Sequence, residues 1–349
     1  MNFIKFFTLN VLLLFFIGCG EEKDPDRQFS LQLKKKGKSY KASDTIYPSL
    51  KNKKDLPVDE VKYVLAGKEL ESAGEGWILN SGKLGLQQLT ARIISGEKVL
   101  EVSEDIKILA PQSPQLYTYS IVNEFPHDIT SFTQGLEFYK DTLYESTGSG
   151  GGAKSYVRKI NFETGKVFQQ VDLEPQYFGE GITLINDKLY QLTWQQRVGF
   201  IYKASSLDRM DQFQYGKSKE GWGLCNDGKY LYKSDGTEKI WLLNPETMKE
   251  EDHIQIVTDK SIFNKANELE YVKGKIYANV WQKESMMIID AKSGAIEGVV
   301  NLGGLKEKVA QHPKLDVLNG IAFHPERNTF FVTGKNWDKL FEITLQKKE

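Results

Sequence analysis

A glutamate held between two glycines stands shortly before a tryptophan. Glu180 lies in Phe178-Gly179-Glu180-Gly181, and Trp194 ends the apolar segment that follows the tight-turn signal Asn186-Asp187. The glycines allow a close backbone approach and Phe178 supplies an apolar wall, so the carboxyl should lose solvation. Its pKa would then rise above the ~4.3 of a free glutamate, which suits proton transfer near neutral pH. The alternative is a buried glutamate that accepts backbone N–H bonds.

Other aromatic and charged residues end or begin similar segments. Trp194, Trp222 and Trp281 are candidates for the wall of an aromatic pocket, although each could instead pack between structural units. Lys335 follows Thr333-Gly334; pointing inward it would need Glu180 or an anionic ligand as partner, and otherwise it is a surface lysine. Glu145 is a second candidate carboxylate, with a purely structural role as the alternative.

The elements that must position these residues form an internal repeat that begins near Tyr117. Each unit opens with a polar, a small and an apolar residue, followed by a turn and a second strand. The openings lie about 45 residues apart, which is typical of propeller blades. The first residues of the five units are Gln134, Glu180, Trp222, Asn267 and Asn319. Four strands per unit, repeated five times, predict an all-β, five-bladed β-propeller, with the strand at 117–124 joining the last blade.

Equivalent residues of a propeller form rings around its central channel. The repeat openings form one predicted ring, and Trp194, Trp281 and Lys335 belong to a second ring at the ends of the next strands. Side chains differ between units at these positions, whereas scaffold positions such as Gly135 and Gly181 stay alike. Such divergence predicts a single site, off the axis, at one mouth of the channel.

The N-terminus has the features of a targeting segment. Lys5 precedes an apolar stretch at 9–17, which is too short to span a bilayer as a mature helix. Phe16-Ile17-Gly18-Cys19 resembles the end of a bacterial lipoprotein signal, so we expect a signal peptide at 1–19, lipidation of Cys19 and a tether at 20–27. The chain would then be exported and anchored by lipid to the cell envelope. An ordinary signal peptide with a chance cysteine is the alternative.

Residues 28–110 have a different pattern from the repeats. Short alternating segments, such as Leu89-Ala91-Ile93, are separated by turn signals and predict a small Ig-like β-sandwich that acts as a spacer. A linker at 111–116 would lead to the propeller at 117–346. Net charge of −1 gives no reason to expect nucleic acid, and the four histidines are scattered, so we expect neither a metal site nor a cofactor.

Several stretches of the repeat region, in order and at repeat spacing, resemble a known family. They are Pro126-His127-Asp128, Phe132-Thr133-Gln134-Gly135-Leu136, Glu145-Ser146-Thr147-Gly148, Phe178-Gly179-Glu180-Gly181-Ile182-Thr183, Leu192-Thr193-Trp194, Glu220-Gly221-Trp222-Gly223-Leu224, Asn267-Glu268-Leu269-Glu270-Tyr271, Ala278-Asn279-Val280-Trp281, Leu318-Asn319-Gly320-Ile321-Ala322 and Thr333-Gly334-Lys335. From about Tyr117 to Leu345 the chain is similar to the glutaminyl-peptide cyclotransferases of plant and bacterial type. That resemblance implies a five-bladed propeller that acts without zinc and converts an N-terminal glutamine to pyroglutamate, with release of ammonia.

The resemblance also suggests roles for the candidate residues. Glu180 would move the proton, with Asn267 and Lys335 as the other catalytic residues. Substrate contacts would come from a larger set: Phe132, Gln134, Glu145, Phe178, Trp194, Trp222, Trp281 and Asn319. We expect a monomer whose partners are peptides or proteins that begin with glutamine.

Two other classes of function compete with this interpretation. A non-catalytic propeller lipoprotein that binds a peptide or a carbohydrate could use the same aromatic pocket. A hydrolase on another kind of propeller would need a nucleophile paired with histidine, and the sequence offers no such pair.

Overall fold

The computed structural model describes residues 28–34, 37–80, 82–150 and 154–349. The predicted signal peptide, Cys19 and the tether at 20–27 lie outside the described residues. Within these ranges, no helix has the length and apolar character needed to cross a membrane. The described chain is built almost entirely of β-strands, with a short 3-10 helix at Lys306–Lys308.

Residues 28–110 form an N-terminal β domain. Its strands are β1 (Phe29–Leu33), β2 (Ser39–Lys41), β3 (Thr45–Ile46), β4 (Pro48–Asn52), β5 (Glu60–Leu65), β6 (Lys68–Glu69), β7 (Ser72–Ala73), β8 (Gly76–Ile78), β9 (Gly85–Ser95) and β10 (Lys98–Leu109). A five-stranded sheet has the order β2-β10-β9-β5-β6, beside the smaller sheets β1-β4 and β3-β8-β7. Leu89, Ala91 and Ile93 are buried in one shared core, as the alternation predicts. The Ig-like topology stays a prediction.

Residues from Gln115 onward form the propeller. Its strands are β11 (Gln115–Pro126), β12 (Thr133–Tyr139), β13 (Thr142–Thr147), β14 (Tyr156–Ile160), β15 (Val167–Asp172), β16 (Gly179–Ile185), β17 (Lys188–Thr193), β18 (Val198–Lys203), β19 (Arg209–Gln214), β20 (Leu224–Asn226), β21 (Leu231–Ser234), β22 (Lys239–Leu243), β23 (Glu250–Gln255), β24 (Ala266–Val272), β25 (Lys275–Val280), β26 (Ser285–Asp290), β27 (Ile296–Asn301), β28 (Leu318–His324), β29 (Thr329–Gly334) and β30 (Lys339–Lys347). Blades one to three are the four-stranded sheets β12–β15, β16–β19 and β20–β23.

The remaining two blades are joined through the first propeller strand. Blade four is β24–β27, and blade five consists of β28, β29, β30 and β11. Strand β11 pairs antiparallel with β30 and parallel with β27, so these blades form one eight-stranded sheet. The predicted closure by an N-terminal strand is therefore confirmed. The strand starts at Gln115 instead of Tyr117, because Gln115 and Leu116 pair with Gly298 and Val299 of blade four.

The N-terminal domain packs directly against the propeller. Val257 and Ala295 of the propeller belong to the hydrophobic core of that domain. The side chain of Gln255 donates to the Leu86 carbonyl at 3.0 Å and accepts from the Leu86 N–H at 3.0 Å. The domain is thus docked on blades three and four, which goes beyond the spacer role expected from the sequence.

The inner strands β12, β16, β20, β24 and β28 meet around the channel at very short range. A Cβ added to Gly181 would lie 2.6 Å from both the Leu224 nitrogen and the Trp222 oxygen of the next blade. Blade four carries Glu268 in place of this glycine, and its carboxylate accepts from the backbone N–H of Ile321 at 2.8 Å. The repeated glycines therefore allow backbone-to-backbone packing that fixes the openings of the inner strands relative to one another.

Candidate active site

A cavity of about 230 Å³ opens where the inner strands begin. It is lined by Phe132, Gln134, Phe178, Glu180, Trp194, Trp222, Asn267, Trp281 and Lys335. These residues come from the openings of four repeats and from the ends of three second strands, since Trp194, Trp281 and Lys335 directly follow β17, β25 and β29. The structure thus brings together nine of the eleven residues that the sequence proposed for catalysis and substrate binding.

Five aromatic rings form the walls of this cavity. Phe178 lies edge-on to Phe132 with ring centroids 6.1 Å apart, and 5.7 Å from Trp194. On the other side, Trp222 and Trp281 meet in a T-shaped pair at 5.7 Å. The antiparallel pairing of Gly179 with Thr193 explains why Phe178 and Trp194 are neighbours. The rings come from blades one to four and enclose a space suited to a flexible, partly apolar side chain.

Glu180 is the buried carboxylate of the cavity, with 4% of its surface exposed. The Gln134 amide donates to its Oε1 at 3.1 Å. Burial raises the pKa of Glu180 well above its ordinary value; the charge of Lys335 opposes this shift and the charge of Glu220 adds to it. The carboxyl therefore holds a proton more readily than an exposed glutamate does, which suits a residue that transfers protons.

Lys335 and Asn267 are the other candidate catalytic residues in the cavity. Lys335 is 5% exposed, and its Nζ lies 4.6 Å from the centre of the Phe132 ring. Burial lowers the pKa of Lys335, and the charges of Glu180 and Asp316 partly offset that effect. The lysine is thus not a surface residue. Asn267 is buried, and its backbone oxygen accepts from Ser234 Oγ at 2.8 Å, which anchors the residue at the cavity wall.

Asn319 does not line the cavity, and its expected contact with substrate stays a prediction. Its Nδ2 donates to the Thr133 carbonyl at 3.0 Å and to Gln134 Oε1 at 3.1 Å. Asn319 therefore lies behind Gln134 and fixes the orientation of that amide. The residues at equivalent ring positions therefore do not all face the cavity. In blade five, Asn319 instead binds residues of blade one.

Glu145 also lies outside the cavity lining. It is fully buried and receives hydrogen bonds from Arg158 Nε at 2.8 Å and Thr133 Oγ1 at 2.8 Å, while His127 Nε2 lies 3.0 Å from its Oε1. Burial alone would raise the pKa of Glu145, but the charges of Arg158 and His127 hold it well below the ordinary range. Glu145 thus belongs to a buried ion-pair network, and its expected contact with substrate stays a prediction.

Glu220 is a polar residue near the cavity for which the sequence suggested no role. Its Oε2 accepts from Trp194 Nε1 at 2.8 Å and from Trp222 Nε1 at 2.9 Å. A usable signal existed in Glu220-Gly221-Trp222-Gly223, because a ring-facing indole N–H needs a hydrogen-bond acceptor. Lys265 was also missed; its Nζ lies 5.1 Å from the centre of the Trp281 ring.

The family model described as glutamine cyclotransferase matches residues 92–345. The chain belongs to the glutamine cyclotransferase family. It is 41% identical over 239 residues to a glutaminyl-peptide cyclotransferase of Arabidopsis thaliana, a match that covers 67% of this chain and 73% of the plant protein. A crystal structure of the Myxococcus xanthus glutaminyl cyclase superposes with a TM-score of 0.62 at 32% identity, covering 68% of this chain and 100% of that one.

Membership in the glutamine cyclotransferase family confirms the resemblance that the motifs indicated, and with it the propeller fold. The family match begins inside β9, so most of the N-terminal domain lies outside it.

Proposed function

We propose that the aromatic-walled cavity is the site at which this glutaminyl-peptide cyclotransferase converts an N-terminal glutamine to pyroglutamate. The observation that carries the proposal is the placement of a buried carboxyl, Glu180, and a buried amine, Lys335, in a cavity walled by five aromatic rings. The substrates are peptides or proteins that begin with glutamine.

The aromatic rings would act by orientation. The α-amine nitrogen attacks the side-chain amide carbon of the same residue, a new C–N bond closes a five-membered ring, and the bond to the amide nitrogen breaks to release ammonia. Well-oriented intramolecular reactions reach effective molarities of ~10⁵–10⁸ M. Phe132, Phe178, Trp194, Trp222 and Trp281 would hold the flexible glutamine in its ring-closing conformation.

Glu180 would carry the proton between the two nitrogens. An α-amine has a pKa of ~7.7–8.0, so a useful fraction is neutral near pH 7. Glu180 takes a proton from the attacking amine and passes it to the departing NH₂ group. Its raised pKa supports the first step, because the carboxylate is then a stronger base.

Lys335, Asn267 and Gln134 would stabilise the amide oxygen as negative charge develops on it. The Nε2 of a glutamine amide carries two N–H donors. Gln134 donates one of them to Glu180 at 3.1 Å, and its amide oxygen accepts from Asn319, so the second N–H is left for the substrate. Loss of one such donor typically lowers the rate by ~10²–10³.

A coupled ammonia assay with a glutamine-terminated peptide tests the proposal. Glu180→Gln keeps the side-chain shape and removes the proton acceptor, so we expect a loss of about 10²–10⁴ in rate with folding intact. Glu174→Gln, which changes an exposed carboxylate before the same inner strand, is the matched control. We expect a chelator to leave the rate unchanged. Peptide binding without ammonia release by the wild-type protein would instead favour a non-catalytic binding module.

We also propose that the exported chain is a monomer tethered to the cell envelope by lipid on Cys19. The support is the signal-like sequence that ends in Phe16-Ile17-Gly18-Cys19. Partitioning of the wild-type protein, but not of Cys19→Ser, into a detergent phase is the expected result. Equal partitioning of both would count against the anchor.

A further inference from the structure

We propose that Glu220 is a positioning residue that holds two walls of the active-site cavity in one fixed orientation. This inference rests on the proposed function. A single carboxylate oxygen, Glu220 Oε2, accepts from the indole N–H groups of both Trp194 and Trp222. These rings belong to blades two and three, so the shared acceptor fixes the angle between rings that different blades supply. Hydrogen bonds to an ionised acceptor are roughly twice as strong as neutral ones.

The orientation of the Trp194 ring depends strongly on this hydrogen bond to Glu220. Its surface is 36% exposed, and it follows the end of β17, so packing surrounds it only in part. Its backbone N–H donates to the Phe178 carbonyl at 3.0 Å, which places the chain but leaves the ring torsions to be set by side-chain contacts. The bond from Nε1 to Glu220 supplies the constraint at the far end of the indole.

The backbone that carries Glu220 is fixed on both sides. Gly221 N–H donates to the Trp194 carbonyl at 3.0 Å, and Trp222 N–H donates to the Ser234 carbonyl at 3.0 Å. Upstream, the N–H of Ser218 donates to the Glu250 carboxylate at 2.9 Å. The carboxylate of Glu220 is therefore presented to the indoles by a segment with little freedom to move.

An ion pair between the buried Lys233 and Glu250 also helps to hold the segment that carries Glu220. Lys233 is fully buried, with its Nζ 3.1 Å from Glu250 Oε1 and 4.1 Å from the centre of the Tyr215 ring. Tyr215 in turn donates its hydroxyl to the Thr193 carbonyl at 2.7 Å, directly before Trp194. One network thus ties the segment that carries Glu220 to the strand end that carries the exposed indole.

Glu220 has a second effect, on the acid strength of Glu180. The charged or titratable groups that act on Glu180 are Lys335 and Glu220, and the nearby Tyr215 stays neutral because burial raises the pKa of its phenol. The negative charge of Glu220 raises the pKa of Glu180. Removal of that charge should lower the pKa of Glu180 and move the acid limb of kcat/KM to lower pH. A residue with only a structural role would not produce this shift.

The test compares Glu220→Ala and Glu220→Gln with wild type in the ammonia assay. Asp235→Asn is the matched control, since Asp235 accepts from Trp241 Nε1 at 2.7 Å on the same blade but lines no part of the cavity. We expect Glu220→Ala to raise KM and to lower kcat/KM by roughly ten- to a hundredfold, the effect of losing bonds to a charged group. Glu220→Gln should restore part of kcat/KM, because its amide oxygen still accepts, while its acid limb lies at lower pH.

Several outcomes would overturn the inference. It fails if Glu220→Ala matches Asp235→Asn in both KM and kcat/KM, or if its activity falls only in step with its folded fraction while Glu220→Gln keeps the wild-type acid limb. An active wild-type enzyme with these results would remove the role of Glu220 alone. An inactive wild-type enzyme would overturn the proposed function and this inference together.

Discussion

The pKa values of two buried glutamates, Glu145 of blade one and Glu180 of blade two, are shifted in opposite directions. The charges of Arg158 and His127 keep the pKa of Glu145 low, so this carboxylate stays ionised. Glu180 has only the partial compensation of Lys335, and its pKa is high. Different environments thus shift the pKa values of the two carboxyl groups in opposite directions. Such a difference distinguishes a residue that transfers protons from one with a structural role.

The structural role of Glu145 can be tested by Glu145→Gln. We expect the free energy of unfolding to fall by about 3 kcal/mol, because Arg158 would lose its fully buried charge partner and keep only the partly exposed Asp128, 3.0 Å away. Ammonia release per folded molecule should change little, since Glu145 does not line the cavity. Urea unfolding measures the first effect. Glu101→Gln, which breaks the exposed pair with Arg92, should cost no more than about 1 kcal/mol. Equal effects of the two substitutions would contradict this account.

At the scale of the elements, the inner strands position the site through the glycines that follow its polar residues. Gly181 follows Glu180 and touches the backbone of Trp222 and Leu224. The N–H of Gly181 donates to the Trp222 carbonyl at 2.7 Å. Any movement of β16 against β20 therefore displaces a catalytic carboxyl and an aromatic wall together.

Gly181→Ala tests this coupling. The new Cβ would meet backbone atoms at 2.6 Å, which cannot turn aside as a side chain can, so we expect a loss of about 1–3 kcal/mol in stability. Ammonia release should also fall, because Glu180 and Trp222 move apart. Gly303→Ala is the control, since its Cβ would meet mainly the Asn301 side chain at 3.0 Å. Wild-type stability and turnover in Gly181→Ala would show that the blades adjust freely.

At the scale of the whole molecule, the ring is closed by joining the two ends of the propeller sequence. Strand β11 pairs along β30 from Tyr117 with Lys347 to Pro126 with Lys339. Glu342 on β30 reinforces this closure, because it accepts from Asn123 of β11 at 2.6 Å and from Arg327 at 2.8 Å. These bonds lower the pKa of Glu342 to about 2 even though burial opposes the shift.

The lowered pKa predicts how closure depends on pH. A carboxylate with a depressed pKa stabilises the fold above its unfolded pKa of ~4.3 and loses this contribution as pH falls through about 2. At pH 7 we expect Glu342→Gln to be less stable by about 1–2 kcal/mol, allowing for solvent around Arg327. The difference from wild type should shrink between these pH values. Urea unfolding across this range is the measurement, and a pH-independent difference would argue against the assignment.

Much of the fold and of the candidate site could be predicted from the sequence, because the repeat shows which positions of the five blades are equivalent. Inner strands of neighbouring blades pack in the same way, so glycines such as Gly135 and Gly181 recur at one repeat position. The position before them differs between blades, as Glu180 and Trp222 show. Period, divergence and the family resemblance together predicted the fold, the closing strand and nine residues of the cavity. Local pairing also follows from sequence, as in the hairpin that sets Phe178 beside Trp194.

The tertiary structure alone decided which ring members face the cavity and which bind one another. The cavity is off the axis, so equivalent positions need not share it: Asn319 turns to Gln134, and Glu145 is held by Arg158. No periodicity could show that Glu220 joins two indoles from different blades. Nor could it show that the N-terminal domain shares its core with the propeller. These contacts link side chains far apart in sequence, and their directions are set only when all five blades are packed.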